Sequence, residues 1–123
     1  MAVRGVRGAT TVDADDEEAI MSATGELLQA LLAANPGMQA QDIASAWFTA
    51  TPDLHAAFPA RAARRIGWWE TALMCAQELQ VPGGLERCIR VLLHWNTNLS
   101  QADVRHVYLR EARILRPDLK KEG

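Results

Sequence analysis

A chain of 123 residues with 49% hydrophobic and 23% charged side chains carries enough apolar material for one soluble domain with a real core, which excludes a disordered polypeptide. Its formal net charge of −2 argues against the clustered positive surface that sequence-independent nucleic-acid binding needs, and no arginine-rich stripe with interleaved aromatics appears. No window approaches the roughly 18 apolar residues of a membrane span, no basic segment leads into an apolar run, and Cys75 and Cys88 are too few for a disulfide framework or a zinc cluster, so the expectation is a cytoplasmic protein with reduced thiols.

The opening stretch MAVRGVRGATTV reads as a strand. Side chains alternate along a strand, so Val3, Gly5 and Arg7 share one face while Arg4 and Val6 share the other. The two arginines therefore have separate jobs. At least one of the two guanidiniums is expected to face the interior or an interface, a placement that demands a reason because taking an unpaired ion out of water is costly.

DADDEEAIMSATGELLQALLAANPG then reads as a helix: Ile20, Thr24, Leu27, Leu28, Leu31 and Leu32 recur at helical spacing, acidic residues crowd its positive end, and NPG stops it. Asp15 to Glu18 could be imagined as a metal site, but a helix start favours solvated acids. Ile43 to Thr49 follows as a strand closed by Pro52, and HAAFPARAARRIGWW as a short helix with Pro59 in its first turn and Gly67 at its end. ETALMCAQEL begins as a strand and breaks near Cys75. VPGGL is a turn.

ERCIRVLLHW places Ile89, Val91, Leu93 and Trp95 on one face and Cys88, Arg90, Leu92 and His94 on the other, a strand that reads as buried on both sides. Arg90 among apolar neighbours is either functional or an edge-strand charge that discourages aggregation. A small helical turn in NTNLSQAD leads to a last strand, RHVYLREARILRPDL, closed by Pro117. The expected fold is α+β: a single domain with a mixed sheet of about five strands, packed against one long and one short helix. Only one sheet face is well covered, and the cheapest cover for the other is a second copy of the chain.

The chemistry is narrowed by elimination. No serine lies in a G-x-S-x-G elbow, no phosphate-binding glycine motif is present, and His55, His94 and His106 lack paired metal-ligand spacing. Cys75 has no identifiable base beside it, and lone strand histidines read as hydrogen-bonded structural groups. Eleven of the 13 basic residues are Arg, the exceptions being Lys120 and Lys121. GC-rich coding also produces that bias, so only arginines in unusual positions carry weight. Arg7, Arg90 and Arg116, with Glu78 and Tyr108, make a constellation for binding a carboxylate-bearing anion without metal or cofactor.

VRGVRGATTV, TATPDLHAAFPARAAR, GGLERCIRVLLH and VRHVYLREARILRPDL together resemble the trimeric, barrel-forming (AroH-class) chorismate mutases, from Val3 to about Leu119. The resemblance implies a homotrimeric pseudo-α/β-barrel over residues 1–123, with 119–123 a short tail, that converts chorismate to prephenate in clefts between subunits, on the route to phenylalanine and tyrosine. It implies that Arg90 donates to the ether oxygen and a carboxylate, that Arg7 and Tyr108 bind the side-chain carboxylate, and that Glu78, with the neighbourhood of Cys75, accepts from the ring hydroxyl. Arg7 is then expected to face the cleft, with Gly5 and Gly8 keeping space around it, and Arg4 to serve in an ion pair or at a subunit interface. Phe58, Ala60 and Leu115 would line apolar walls, and Arg64 and Arg116 would sit at the cleft mouth. Met74 departs from the family pattern, which carries a small hydroxyl residue there. Two other readings stay open: a non-catalytic trimeric module for an aromatic-pathway acid, and an enamine/imine deaminase of similar shape.

Overall fold

Alternating apolar residues build five strands. In the computed structural model, which describes residues 1–115, these are β1 (Ala2–Thr11), β2 (Ile43–Ala50), β3 (Ala72–Gln77), β4 (Cys88–Thr97) and β5 (Val107–Tyr108). Helices α1 (Glu17–Ala34) and α2 (Ala60–Arg65) and 3-10 turns at Ala40–Asp42, Gln101–Asp103 and Arg110–Leu115 complete the described chain. The strands form one mixed sheet in the order β3-β2-β4-β1-β5. The β1/β4 and β2/β4 pairs are antiparallel, and the β2/β3 and β1/β5 pairs are parallel. This is the α+β architecture expected from the sequence.

The acidic cluster serves the start of α1. Asp16 caps the helix by accepting from the Ala19 N–H at 2.9 Å, and Asp15 accepts the N–H groups of His55 and Ala56. Glu17 pairs with Arg61 at 2.6 Å and so ties α1 to α2. The helix ends at the Asn35 cap, with Gly37 beyond it at φ +90°. Leu27, Leu28 and Leu31 of α1 and Ala62 and Ala63 of α2 are buried against Val6, Phe48, Val91 and Leu93 of the sheet. Burying each such leucine contributes about 1.5–3 kcal/mol, which seats both helices on one sheet face.

Gly8 belongs to that covered face. A Cβ there would lie 2.8 Å from Leu31 Cδ1, 3.2 Å from Leu27 Cδ1 and 3.3 Å from Val91 Cγ1, so the glycine makes room for α1 rather than for Arg7. The expectation that it flanks the Arg7 side chain is corrected by strand alternation itself. Arg4 Nε donates to the Leu99 carbonyl at 2.8 Å, a structural role filled by a loop carbonyl instead of a carboxylate.

Three strand expectations need revision. β4 is paired on both edges but has only one covered face, so Arg90 is neither an edge charge nor enclosed by two layers. β3 runs unbroken through Cys75 to Gln77, because its parallel ladder with β2 continues and the Glu78 N–H donates to the Ala50 carbonyl at 2.9 Å. The last strand is only two residues long: Arg110 adopts φ +52°, and the chain turns into the 3-10 segment that ends at Leu115. Pro117, expected to close that strand, and the 119–123 tail lie outside the described residues.

Candidate active site

The open sheet face collects its side chains by register. Pairing of β1 with β4 sets Arg7 opposite Leu92 and Ala9 opposite Arg90, while pairing of β2 with β4 sets Thr49 opposite Arg90 and Trp47 opposite Leu92. The short parallel contact of β5 with β1 brings Tyr108 beside Ala9. The 3-10 turn then folds Leu115 back over the same face. A fully extended chain would separate Tyr108 and Leu115 by about 23 Å and put them on opposite faces. Together these residues enclose a cavity of about 460 Å³, with Arg7, Arg90, Glu78, Tyr108 and Leu115 in its walls and Trp47, Leu92 and Val91 among its apolar lining.

Arg90 and Glu78 dominate its electrostatics. Arg90 Nε meets Glu78 Oε1 at 2.5 Å, with the carboxylate side chain 18% exposed and the guanidinium side chain 46% exposed. Burial pushes the Glu78 carboxyl above its ordinary range, an effect only partly opposed by the Arg90 charge. Glu78 Oε2 is buried and makes no hydrogen bond with the described residues. On the strand that carries Arg90, burial drives the Cys88 thiol up to about 11 and keeps it neutral. The Arg7 N–H donates to His106 Nδ1 at 2.9 Å, and His106 is shifted down by burial and by the neighbouring Arg7 charge. Two guanidiniums around an apolar floor suit an anion with more than one carboxylate. No serine or cysteine is among the described residues lining this cavity.

A profile of the family described as Chorismate mutase type I matches residues 3–119. The chain belongs to this family. Chorismate mutase AroH of Thermus thermophilus is 55% identical over 118 residues, which cover 96% of this chain and 97% of the relative. The AroH chorismate mutase of Bacillus subtilis (strain 168) is 46% identical over 120 residues, 97% of this chain and 94% of the relative. Among solved structures, a chorismate mutase from Clostridium thermocellum matches with a TM-score of 0.87 and 49% identity, covering 89% of this chain and 97% of its own. These matches decide for an isomerase over the deaminase of similar shape.

Within this type I chorismate mutase, the residues singled out from sequence fall into two groups. Arg7, Glu78, Arg90, Tyr108 and Leu115 share the cavity on the open face. Phe58 and Cys75 line a different cavity of about 610 Å³, and Phe58 is 68% exposed. Ala60 lies beside that second group, its backbone hydrogen-bonded to the Cys75 thiol, which burial nonetheless shifts upward. Arg64 is exposed on α2, and Met74 is exposed on β3; neither lines the two cavities. Arg116 lies outside the described residues. The sequence reading missed Trp47 and Thr49 as cavity residues. Their two-residue spacing on β2 was visible, but only the β2/β4 register shows that this parity faces Arg90.

Proposed function

We propose that this chorismate mutase converts chorismate to prephenate in clefts between the subunits of a homotrimer. The observation that carries this reading is the division of the candidate residues: one chain holds Arg7, Glu78, Arg90, Tyr108 and Leu115 around one cavity and Phe58 and Cys75 around another. A cleft that uses both groups needs two copies of the chain. The open sheet face supports the same arrangement, since Trp47 is 44% and Leu92 37% exposed there.

In the rearrangement an ether C–O bond breaks as a C–C bond forms, and no proton moves. Arg90 Nε is engaged by Glu78, which leaves the two Nη groups as the remaining donors of the fork. These Nη groups donate to the ether oxygen as it gains negative charge and to an adjacent carboxylate. Arg7 and Tyr108 hold the side-chain carboxylate, and Glu78 accepts from the ring hydroxyl. The neighbouring copy contributes Phe58, Ala60, Met74 and Cys75 as wall, with Arg64 and Arg116 at the mouth. One preorganised donor of this kind contributes about 3 kcal/mol, or 10² to 10³ in rate, and confinement to the compact diaxial conformer supplies more. Neither contribution calls for a cofactor. The unpaired thiols of Cys75 and Cys88 support a reducing, cytoplasmic setting.

The test is direct. Purified protein mixed with chorismate alone should abolish the chorismate absorbance, and size-exclusion with light scattering should give the mass of three chains. A folded protein that leaves chorismate untouched would overturn the activity, and a fully active monomer would overturn the shared cleft.

A further inference from the structure

The outer edge of β1 is satisfied mostly by side chains. At Gly5 the Gln101 amide mimics a strand residue: its Oε1 accepts the Gly5 N–H at 2.9 Å and its Nε2 donates to the Gly5 carbonyl at 2.6 Å. At Ala9 the backbone takes over, with the Leu109 N–H donating to the Ala9 carbonyl at 2.9 Å. Between them β5 has not yet begun, since its first pair is Val107 with Gly8. The Arg7 N–H would be left without a partner, and His106 Nδ1 fills the gap.

His106 is itself anchored from behind. Asn35, buried at the end of α1, accepts the Arg105 N–H at 2.8 Å through Oδ1 and donates to the Arg105 carbonyl at 2.9 Å through Nδ2. The same amide nitrogen also donates to the Leu31 carbonyl, which ties the clamp to the helix core. A connected path thus runs from the α1 terminus through Arg105 and His106 to the backbone of Arg7, and on through Val107 to Tyr108.

We propose that His106 is a positioning residue for Arg7: its neutral imidazole, accepting at Nδ1, fixes the backbone from which the Arg7 guanidinium reaches the substrate carboxylate. Acceptance at Nδ1 places the ring proton on Nε2. The downward shift of His106, from burial and the Arg7 charge, keeps that acceptor form populated. The inference rests on the reading of Arg7 as a carboxylate ligand.

A double-variant cycle in the intact protein tests it with chorismate kinetics. His106→Leu should raise KM about two- to tenfold, the contribution of one hydrogen bond, with kcat much less affected. His106→Asn should restore KM, because Asn Oδ1 stands three bonds from Cα as Nδ1 does, whereas His106→Gln extends its acceptor one bond too far and should resemble Leu. In an Arg7→Ala background the His106→Leu change should add nothing further. If the Leu variant does not fold, Gln takes its place in the cycle. Full additivity with Arg7→Ala, or equal kinetics for Asn and Gln, overturns the positioning role. An unaltered KM in Arg7→Ala alone overturns the reading of Arg7 and the inference with it.

Discussion

In the proposed mechanism the Arg90–Glu78 ion pair serves binding, and burial of its carboxylate acts against stability. The pair leaves the Arg90 Nη groups as donors, and a planar fork reaching two oxygens at once cannot be replaced by an ammonium. Arg90→Lys should therefore keep fold and charge while lowering kcat at least about a hundredfold, measured by steady-state turnover of chorismate. Glu78 gives a second test, through pH. Its folded-state value is raised above the ordinary 4.5, so the folded protein binds its proton more tightly than the unfolded chain does. The stability this confers is fully present below 4.5 and is lost as pH rises through the raised value. Thermal melts should show Tm falling across that window in the native protein and no such fall in Glu78→Gln, which should melt no lower at pH 7. Activity should move the other way: Glu78→Gln puts a neutral amide oxygen where the proposed mechanism has a carboxylate accept from the ring hydroxyl, gives up the charge that holds Arg90, and should turn over more slowly. A Gln variant that melts with the native pH dependence would remove Glu78 as its source.

At the scale of elements, alternation and helical period explain most of what could be read from sequence. The separation of Arg4 from Arg7 is simple strand parity, and the α1 stripe of Leu27, Leu28 and Leu31 faces the core as its spacing requires. Gly8 shows where such reading slips: it adjoins Arg7 in sequence, yet parity puts it under α1. Gly8→Ala should lower stability by about 1–3 kcal/mol, because the new methyl group meets Leu31, Leu27 and Val91 together in a closed core. Urea melts would measure the loss, and a neutral substitution would mean α1 rides more loosely on the sheet. The end of the chain was harder to read. RHVYLREARIL carries enough apolar residues to pass for a strand, and only a positive φ at Arg110 turns it back. Local pattern carries no signal for that reversal, and without it Leu115 would stand far from Tyr108. Register was equally hidden: nothing in the spacing of Trp47 and Thr49 says which residues of β4 they oppose.

At the scale of the whole molecule, a single chain holds the parts of the proposed cleft but holds them apart. Arg90 stands in the cavity on the open sheet face, and Phe58, exposed at the entry to α2, stands in another. Complementation between chains discriminates a shared cleft from one built within a subunit. Arg90→Ala removes the cationic donor from one half. Phe58→Asp sets a carboxylate against a dianionic substrate in the other half, and its exposure makes the change tolerable for folding. Each variant alone should be nearly inactive. Co-expression with different tags, followed by isolation of mixed trimers, pairs an intact Arg90 half from one chain with an intact Phe58 half from the other. In a ring of three that contains both chains, one of the three clefts is native in both halves, so activity per cleft in the isolated mixed trimers should recover to about one third. A cleft contained within one subunit predicts no recovery, since every chain then carries its own defect. Mixed trimers that assemble and remain inactive would therefore disprove the shared cleft while leaving the family assignment in place.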